Sequence, residues 1–197
     1  MRNWLVPLIL CTCSSSLVFA QSAEISASGG VSRFNGDYAT AGGGDNTPIK
    51  FTNGFRLVFR FTWNQGKFFS HEVGYGYARS HLHYESNPSQ DIAPISLHQG
   101  LYNFLINATP EGSRVRPFAT GGVQFTSFYP PGASVYGGSV TKFGVNYGAG
   151  IKVKLTPIWG IRGDFRQYAM PRPDFGFDNK SGWMRQTEIT AGVMFMF

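Results

Sequence analysis

The stretch FRLVFRFTW, residues 55–63, alternates without a break. On an extended chain Phe55, Leu57, Phe59, Phe61 and Trp63 fall on one face, and Arg56, Val58, Arg60 and Thr62 on the other, because successive strand side chains point to opposite sides. A helix would scatter the same arginines and phenylalanines around its circumference. The segment is therefore a strand with one apolar and one largely charged face. Which face is buried, and in what, decides the fold.

The rest of the chain follows the same rhythm. In FGVNYGAGIKVKL (143–155), Phe143, Val145, Tyr147, Ala149, Ile151, Val153 and Leu155 oppose Gly144, Asn146, Gly148, Gly150, Lys152 and Lys154. In GIRGDFRQY (160–168), Arg162, Asp164 and Arg166 oppose Ile161 and Phe165. No segment beyond residue 20 shows a convincing helical period. Eight strand-like stretches are expected, near 23–34, 53–63, 68–79, 96–107, 115–127, 143–155, 159–168 and 184–197. Composition agrees: 25 of 197 residues are Gly, against a usual share of about 7%, and 16% are aromatic.

The links alternate in length. NQGK (64–67), ATPEGS (108–113) and TPI (156–158) are tight turns, whereas NGDYATAGGGDNTP (35–48) and YPPGASVYGG (129–138) are long and rich in Gly and Pro. Every long connection thus falls at one end of the strands. Short turns on one side and long loops on the other are the arrangement of an outer-membrane barrel. The competing architecture, a soluble barrel holding a small apolar ligand, would turn its apolar face inward and needs room there. Here that face is crowded with large rings, while the opposite face mixes glycine with long charged groups that fit together in a narrow lumen. The expected fold is all-β: an eight-stranded, antiparallel, up-and-down transmembrane barrel, whose closure pairs every backbone group in the bilayer.

Residues 1–20 stand apart. Arg2 precedes the apolar runs 4–10 and 17–19, and Val18 and Ala20 lie three and one residues before Gln21, the small-residue pattern of a signal-peptide cut. Ser14 to Ser16 interrupt the run, which is too short to span a bilayer as a helix. The expected organisation is a signal peptide over 1–20 and one barrel domain over 21–197. Both cysteines, Cys11 and Cys13, fall in the signal, so disulfides are excluded from the exported domain. Without Arg2, 16 of the 17 Lys and Arg remain against 11 Asp and Glu, a formal charge of +5. These basic residues are scattered rather than clustered, which argues against nucleic acid and for contacts with anionic lipid headgroups.

Arg56, Arg60, Glu72, Lys152, Arg162, Asp164, Arg166 and Glu188 are the candidate lumen charges. Isolated charges in a water-poor lumen cost several kcal/mol each, so they are expected to pair, with Glu72, Asp164 and Glu188 shared among the arginines and Lys152. That network either fills and stiffens the barrel or gates a narrow ion path. An eight-stranded lumen is just wide enough for side chains, which favours filling. Catalysis has little to stand on. SHLHYESN (80–87) holds Ser, His and Glu close in sequence, but no G-x-S-x-G motif accompanies it. His81 and His83 share a face without a third or fourth metal ligand near them. No catalytic, metal or cofactor site is expected. The sequon at Asn107 is followed by Pro110 and reads as turn chemistry, and the G-x-G spacings in GYGY (74–77) and GAG (148–150) lie within strands rather than ahead of a helix. Trp63, Phe69, Trp159, Phe195 and Phe197 sit at strand ends, as in an interfacial aromatic girdle.

KFGVNYGAGIKVKLTPIWGIRGDFRQY (142–168), SHEVGYGYAR (70–79), SRVRPFATGGVQF (113–125) and the closing EITAGVMFMF (188–197) together resemble the small eight-stranded outer-membrane barrels, the group that includes the transmembrane domain of outer-membrane protein A. The resemblance covers residues 21–197. It implies an exported, integral protein of the bacterial outer membrane, but no single activity, since the same barrel serves as anchor, adhesin or lipid enzyme. Since the last strand-like stretch runs to Phe197, no counterpart of the peptidoglycan-binding domain of larger relatives is expected, nor a role as a wall tether. The expected role is structural or surface-interacting through four long extracellular loops, with a lipid-modifying enzyme or a narrow channel as alternatives. Expected partners are outer-membrane lipid, both lipopolysaccharide and phospholipid, and the barrel-assembly machinery, with the protein itself a monomer. Barrels of this resemblance end in an aromatic that the assembly machinery reads, which assigns that role to Phe197, supported by Phe195 and Val193.

Overall fold

The computed structural model describes residues 23–35, 39–42, 45–85, 90–130, 138–173, 178–179 and 182–197. The expected signal segment, with its cysteines and cleavage position, lies outside them. The strands are β1 (Ala23–Asn35), β2 (Ala39–Gly42), β3 (Asp45–Phe51), β4 (Gly54–Gln65), β5 (Phe69–Tyr84), β6 (Gln90–Asn107), β7 (Val115–Tyr129), β8 (Val140–Lys154), β9 (Trp159–Pro171), β10 (Asp178–Asn179) and β11 (Trp183–Met196).

Eight of them close into a barrel in the order β1, β4, β5, β6, β7, β8, β9, β11, each antiparallel to its neighbours. Closure comes from β11 against β1, where Glu24 faces Met196 and Asn35 faces Arg185. Backbone bonds of 2.9 and 3.0 Å between Ala23 and Phe197 complete the seam. No ladder of open N–H and C=O groups remains along the closed wall, which is what hydrocarbon demands of a sheet.

The apolar face is outside. Phe55, Leu57, Phe59, Phe61, Phe143, Tyr147, Ile151, Ile161, Phe165, Ile189 and Val193 are exposed, and Arg56, Arg60, Lys152, Arg162, Asp164, Arg166 and Glu188 are buried. Across its middle the barrel therefore hides its charges and displays rings, the inverse of a water-soluble fold. Tight turns join β4 to β5, β6 to β7 and β8 to β9 at the end where Ala23 and Phe197 also lie. Gly66 and Gly112 take φ of 82° and 88° in the first two, a backbone that other residues rarely adopt. The third is tied by Leu155 and Thr156 N–H groups donating to the Trp159 carbonyl at 3.0 Å.

Among the described residues, two of the long connections carry more strand than their composition suggests. Within residues 35–48, expected as a loop, the chain forms β2 and then β3, and β3 lies beside the upper part of β5, with Ile49 opposite Tyr84 and Phe51 opposite Leu82. The segment after residue 79, also expected to leave the sheet, continues as β5 to Tyr84 and returns as β6 from Gln90, with a register shift near Leu82 and His83. Both corrections have one cause. Gly- and Ser-rich polar sequence carries no hydrophobic alternation to betray a strand, yet an exposed sheet edge pairs with any chain brought alongside it.

Candidate functional site: the lumen and the outer wall

β1, β4, β5, β6, β7, β8, β9 and β11 all send alternate side chains into the lumen, and these are stacked in levels. At the turn end, Glu24 receives the Lys152 ammonium, and Arg116 Nη1 lies 3.5 Å from its Oε1. Asn64 donates to Glu24 at 3.2 Å, and Ser70 donates to Asn64 at 2.7 Å. A cavity of about 250 Å³, bordered by Glu24, Arg116, Lys152 and Met194, opens from this level.

Above it lies the main ionic cluster. Arg162 donates to Asp164 in a two-pronged pair, Nε at 2.8 Å and Nη2 at 2.9 Å, and its Nη2 is also 2.7 Å from Glu72. Arg166 bridges the same two carboxylates, at 2.7 Å to Glu72 and 3.0 Å to Asp164. Thr62 and Asn103 each donate to Glu72 at 3.2 Å. Arg60 stands between this group and the next, 3.7 Å from Glu72 and from Asp164 but 2.8 Å from Glu188. Glu188 also accepts from Arg56 Nε and the Tyr168 hydroxyl, both at 2.7 Å. Arg56, Arg60, Glu72, Arg166, Tyr168 and Glu188 are at most 2% exposed, so the cluster spans the lumen and seals it. Each carboxylate holds more than one cation, the arrangement in which buried charge is tolerable.

Space for the guanidinium groups comes from glycine on the facing strand. A Cβ at Gly76 would stand 2.3 Å from Arg56 Nη2, and one at Gly150 would stand 2.4 Å from the Phe118 ring. Phe118 in turn lies under Arg162, whose guanidinium carbon is 4.9 Å from the ring centre.

Toward the long connections the lumen changes character. Gln99 donates to Thr126 at 2.8 Å and to Gln186 at 2.9 Å, and Gln186 donates to Ser32 at 2.6 Å. Beyond this amide level the interior is apolar: Phe34, Ile49, Phe51, Leu82, Ile95, Leu97, Phe128, Met170 and Met184 form one buried cluster. Phe51, on the returning β3, stands between Phe34 at 4.8 Å and Phe128 at 6.1 Å. A second, dry plug thus lies above the ionic one.

Of the expected lumen residues, Arg56, Arg60, Glu72, Arg162, Asp164, Arg166 and Glu188 form one contiguous network. Lys152 points inward as expected but pairs with Glu24 rather than with Glu72, Asp164 or Glu188. Sequence reading missed Glu24 and Arg116, although the signal was present. Glu24 alternates in phase with Ser26, Ser28 and Ser32, and Arg116 in phase with Phe118 and Thr120. It missed the apolar plug because the relevant residues come from six strands and a folded-back connection.

The histidines do not assemble into a site. Ser80 is buried and donates to the Thr52 carbonyl at 2.6 Å, while the neighbouring His81 points outward from the same strand. His71 is stacked on Trp63, 5.1 Å between ring centres, and bonded to Tyr102 and Gln65 on the outer wall. Among the described residues no group of three or more His, Cys, Asp or Glu is placed to hold a metal. At the turn end the expected girdle is present: Phe69 stacks on Phe104 at 5.6 Å, and Trp159 meets Phe195 at 5.1 Å, which meets Phe197 at 6.0 Å.

Residues 7–197 match the family described as "Outer membrane protein beta-barrel domain". A search of curated proteins finds no match. Among solved structures, the outer membrane protein OprG from Pseudomonas aeruginosa aligns at a TM-score of 0.67 and 11% identity, over 90% of this chain and 96% of that one. Neisserial surface protein A aligns at 0.58 and 15% identity, over 89% and 97%. The N-terminal β-barrel domain of Pseudomonas aeruginosa OprF aligns at 0.50 and 17% identity, over 90% and 98%. At these identities the likeness is one of fold.

Proposed function

This chain belongs to the outer membrane protein beta-barrel domain family, and on that footing we propose that it is a closed, non-conducting barrel that acts through the long connections at one end. The observation that carries the reading is the double seal of the lumen, an ionic cluster across its middle and an apolar cluster above it. A conducting pore needs a continuous hydrated path, and phenylalanines at most 7% exposed at the upper level and arginines at most 2% exposed at the lower one leave none. The barrel wall itself presents hydrocarbon-facing rings, which leaves the long connections as the parts free to recognise something outside the membrane. No catalytic role is assigned, because Ser80 and His81 face opposite sides of β5.

The test is electrical. Refolded protein in a planar bilayer should give no ion steps above the bare membrane. Reproducible steps that disappear in Glu72→Ala or Arg162→Ala protein would overturn the closed reading and establish a gated channel.

Assembly is part of the same proposal. Phe197 extends the Trp159 and Phe195 ring cluster at the seam between β11 and β1. We take it, with Phe195 and Val193, as the contact for the barrel-assembly machinery. Deleting Phe197 should leave export intact and lower the amount of heat-modifiable barrel in the outer membrane. Normal insertion of that variant would remove the assignment.

A further inference from the structure

The outer wall of the barrel carries a charge asymmetry. Among the described side chains of the eight barrel strands, every carboxylate, Glu24, Glu72, Asp164 and Glu188, is buried in the lumen. Three cations go the other way: Arg33 on β1, Arg79 on β5 and Arg185 on β11 face outward and are exposed. None of the three guanidinium groups has an ion pair or hydrogen bond among the described residues. The wall thus has arginines without acidic partners, and only in one sector, the one made by β11, β1, β4 and β5.

Their height is as informative as their sign. On β1, Arg33 follows Ile25 and Val31, the last apolar residue of the outward face, toward the long-connection end. On β11, Arg185 lies beyond Ile189, and on β5 Arg79 lies beyond Val73 and Tyr75. Arg33 and Arg185 stand past the aliphatics Val31 and Ile189, with the exposed Trp183 beyond Arg185, and Arg79 is level with Phe55, a mixture of arginine and ring that belongs at the level of headgroups. Cross-strand register brings two of them together. Arg33 faces Thr187 and Asn35 faces Arg185, which makes Arg33 and Arg185 diagonal neighbours with backbones roughly 7–8 Å apart. Long guanidinium side chains at that spacing reach a single oxyanion. Arg79, opposite Phe55, is two strands further round. Beside the pair lies a groove of about 510 Å³, lined by Val31 and Ile189 on the hydrocarbon side and by Arg33, Asn35, Asn53 and Thr187 on the polar side.

We infer that Arg33 and Arg185, with Asn35, Asn53 and Thr187 beside them, form a clamp for the phosphate groups of outer-leaflet lipopolysaccharide. The chemistry fits at three points. Arginine binds phosphate through two parallel N–H bonds, side amides and hydroxyls supply further donors, and Val31 and Ile189 receive the upper part of an acyl chain. The choice of lipopolysaccharide over a diacyl phospholipid follows from charge: two guanidinium groups on one oxyanion match a phosphomonoester of about two negative charges, as on lipid A, better than a phosphodiester of one. The inference rests on the reading above that the long connections face the cell exterior, because that orientation sets the leaflet.

The experiment uses protein refolded in detergent, with the folded barrel verified by heat-modifiable migration, and reads bound lipid by native mass spectrometry. Three lipids are compared: lipopolysaccharide, the same material stripped of its lipid A phosphates, and phosphatidylglycerol. The unaltered protein should retain lipopolysaccharide, and the double variant Arg33→Gln, Arg185→Gln should retain about tenfold less or lower, having lost two charge-assisted contacts. Phosphate-stripped lipid should bind the unaltered protein as poorly as lipopolysaccharide binds the variant. Equal retention by variant and unaltered protein overturns the clamp, as does undiminished binding of stripped lipid. Phosphatidylglycerol held as tightly as lipopolysaccharide overturns the choice of lipid. Protease treatment of intact cells separates this from the reading it rests on. Cleavage in the long connections with no effect of the double variant sinks the clamp alone, whereas protected connections sink the orientation itself.

Discussion

Glu188 shows how much one side chain can decide. It accepts from Arg56, Arg60 and Tyr168 at 2.7 to 2.8 Å and is itself fully buried. Removing its charge leaves two guanidinium groups buried with weaker partners, and a broken buried pair of this type costs about 3–5 kcal/mol. Glu188→Gln should therefore lower the urea midpoint of the refolded barrel sharply without changing its secondary structure. Glu24→Gln should cost less, because the turn-end cavity lets water reach Lys152 and Arg116. Equal losses would mean that the two levels are equally dry. The inward direction of Glu188, Arg56 and Arg166 was legible from alternation alone. Their partners were not, because a period of two reports a face and says nothing about which strand lies across the lumen. Lys152 illustrates the gap: its face was read correctly, its partner Glu24 came from the far end of the chain, and the register of the closed barrel put them together.

At the scale of the strand, the outward face obeys lipid rather than core packing. Phe59 lies mid-strand among Phe55, Leu57 and Phe61, all exposed on β4. Arginine placed on a lipid-facing site costs about 2–4 kcal/mol at the bilayer midplane and about 0–1 near the interface. Phe59→Arg should thus destabilise the barrel in lipid vesicles by the larger amount, and Val31→Arg, next to Arg33, by the smaller. Unfolding titrations in vesicles check this, and similar costs at both sites would contradict the placement of the hydrocarbon boundary. The same strands show why element edges were harder to read than elements. FRLVFRFTW announces itself because its two faces meet different solvents. β3 and the upper parts of β5 and β6 do not, since only a few inward residues, Ile49 and Phe51, Leu82, Ile95 and Leu97, stand among polar ones there, too short an alternation to read. Phe51 is the exception that carries weight, a single ring from a polar connection that helps close the apolar plug.

For the whole molecule, the sequence alone determined the class of solvent on each side of the sheet. Large rings at every second position and glycine interleaved with arginine on the other face admit a narrow barrel in a membrane and exclude its soluble counterpart. It also determined the strand number, the antiparallel order and the end at which the long connections gather, because these depend on local pattern and link length. What the tertiary structure decided is how the lumen is filled: which carboxylate each cation finds, and that an apolar plug sits above the ionic one. The structure also decided that Arg33 and Arg185 become neighbours at the lipid boundary. These depend on shear and register around a closed sheet, which join residues more than a hundred positions apart, and no local preference in the chain encodes which of them will meet.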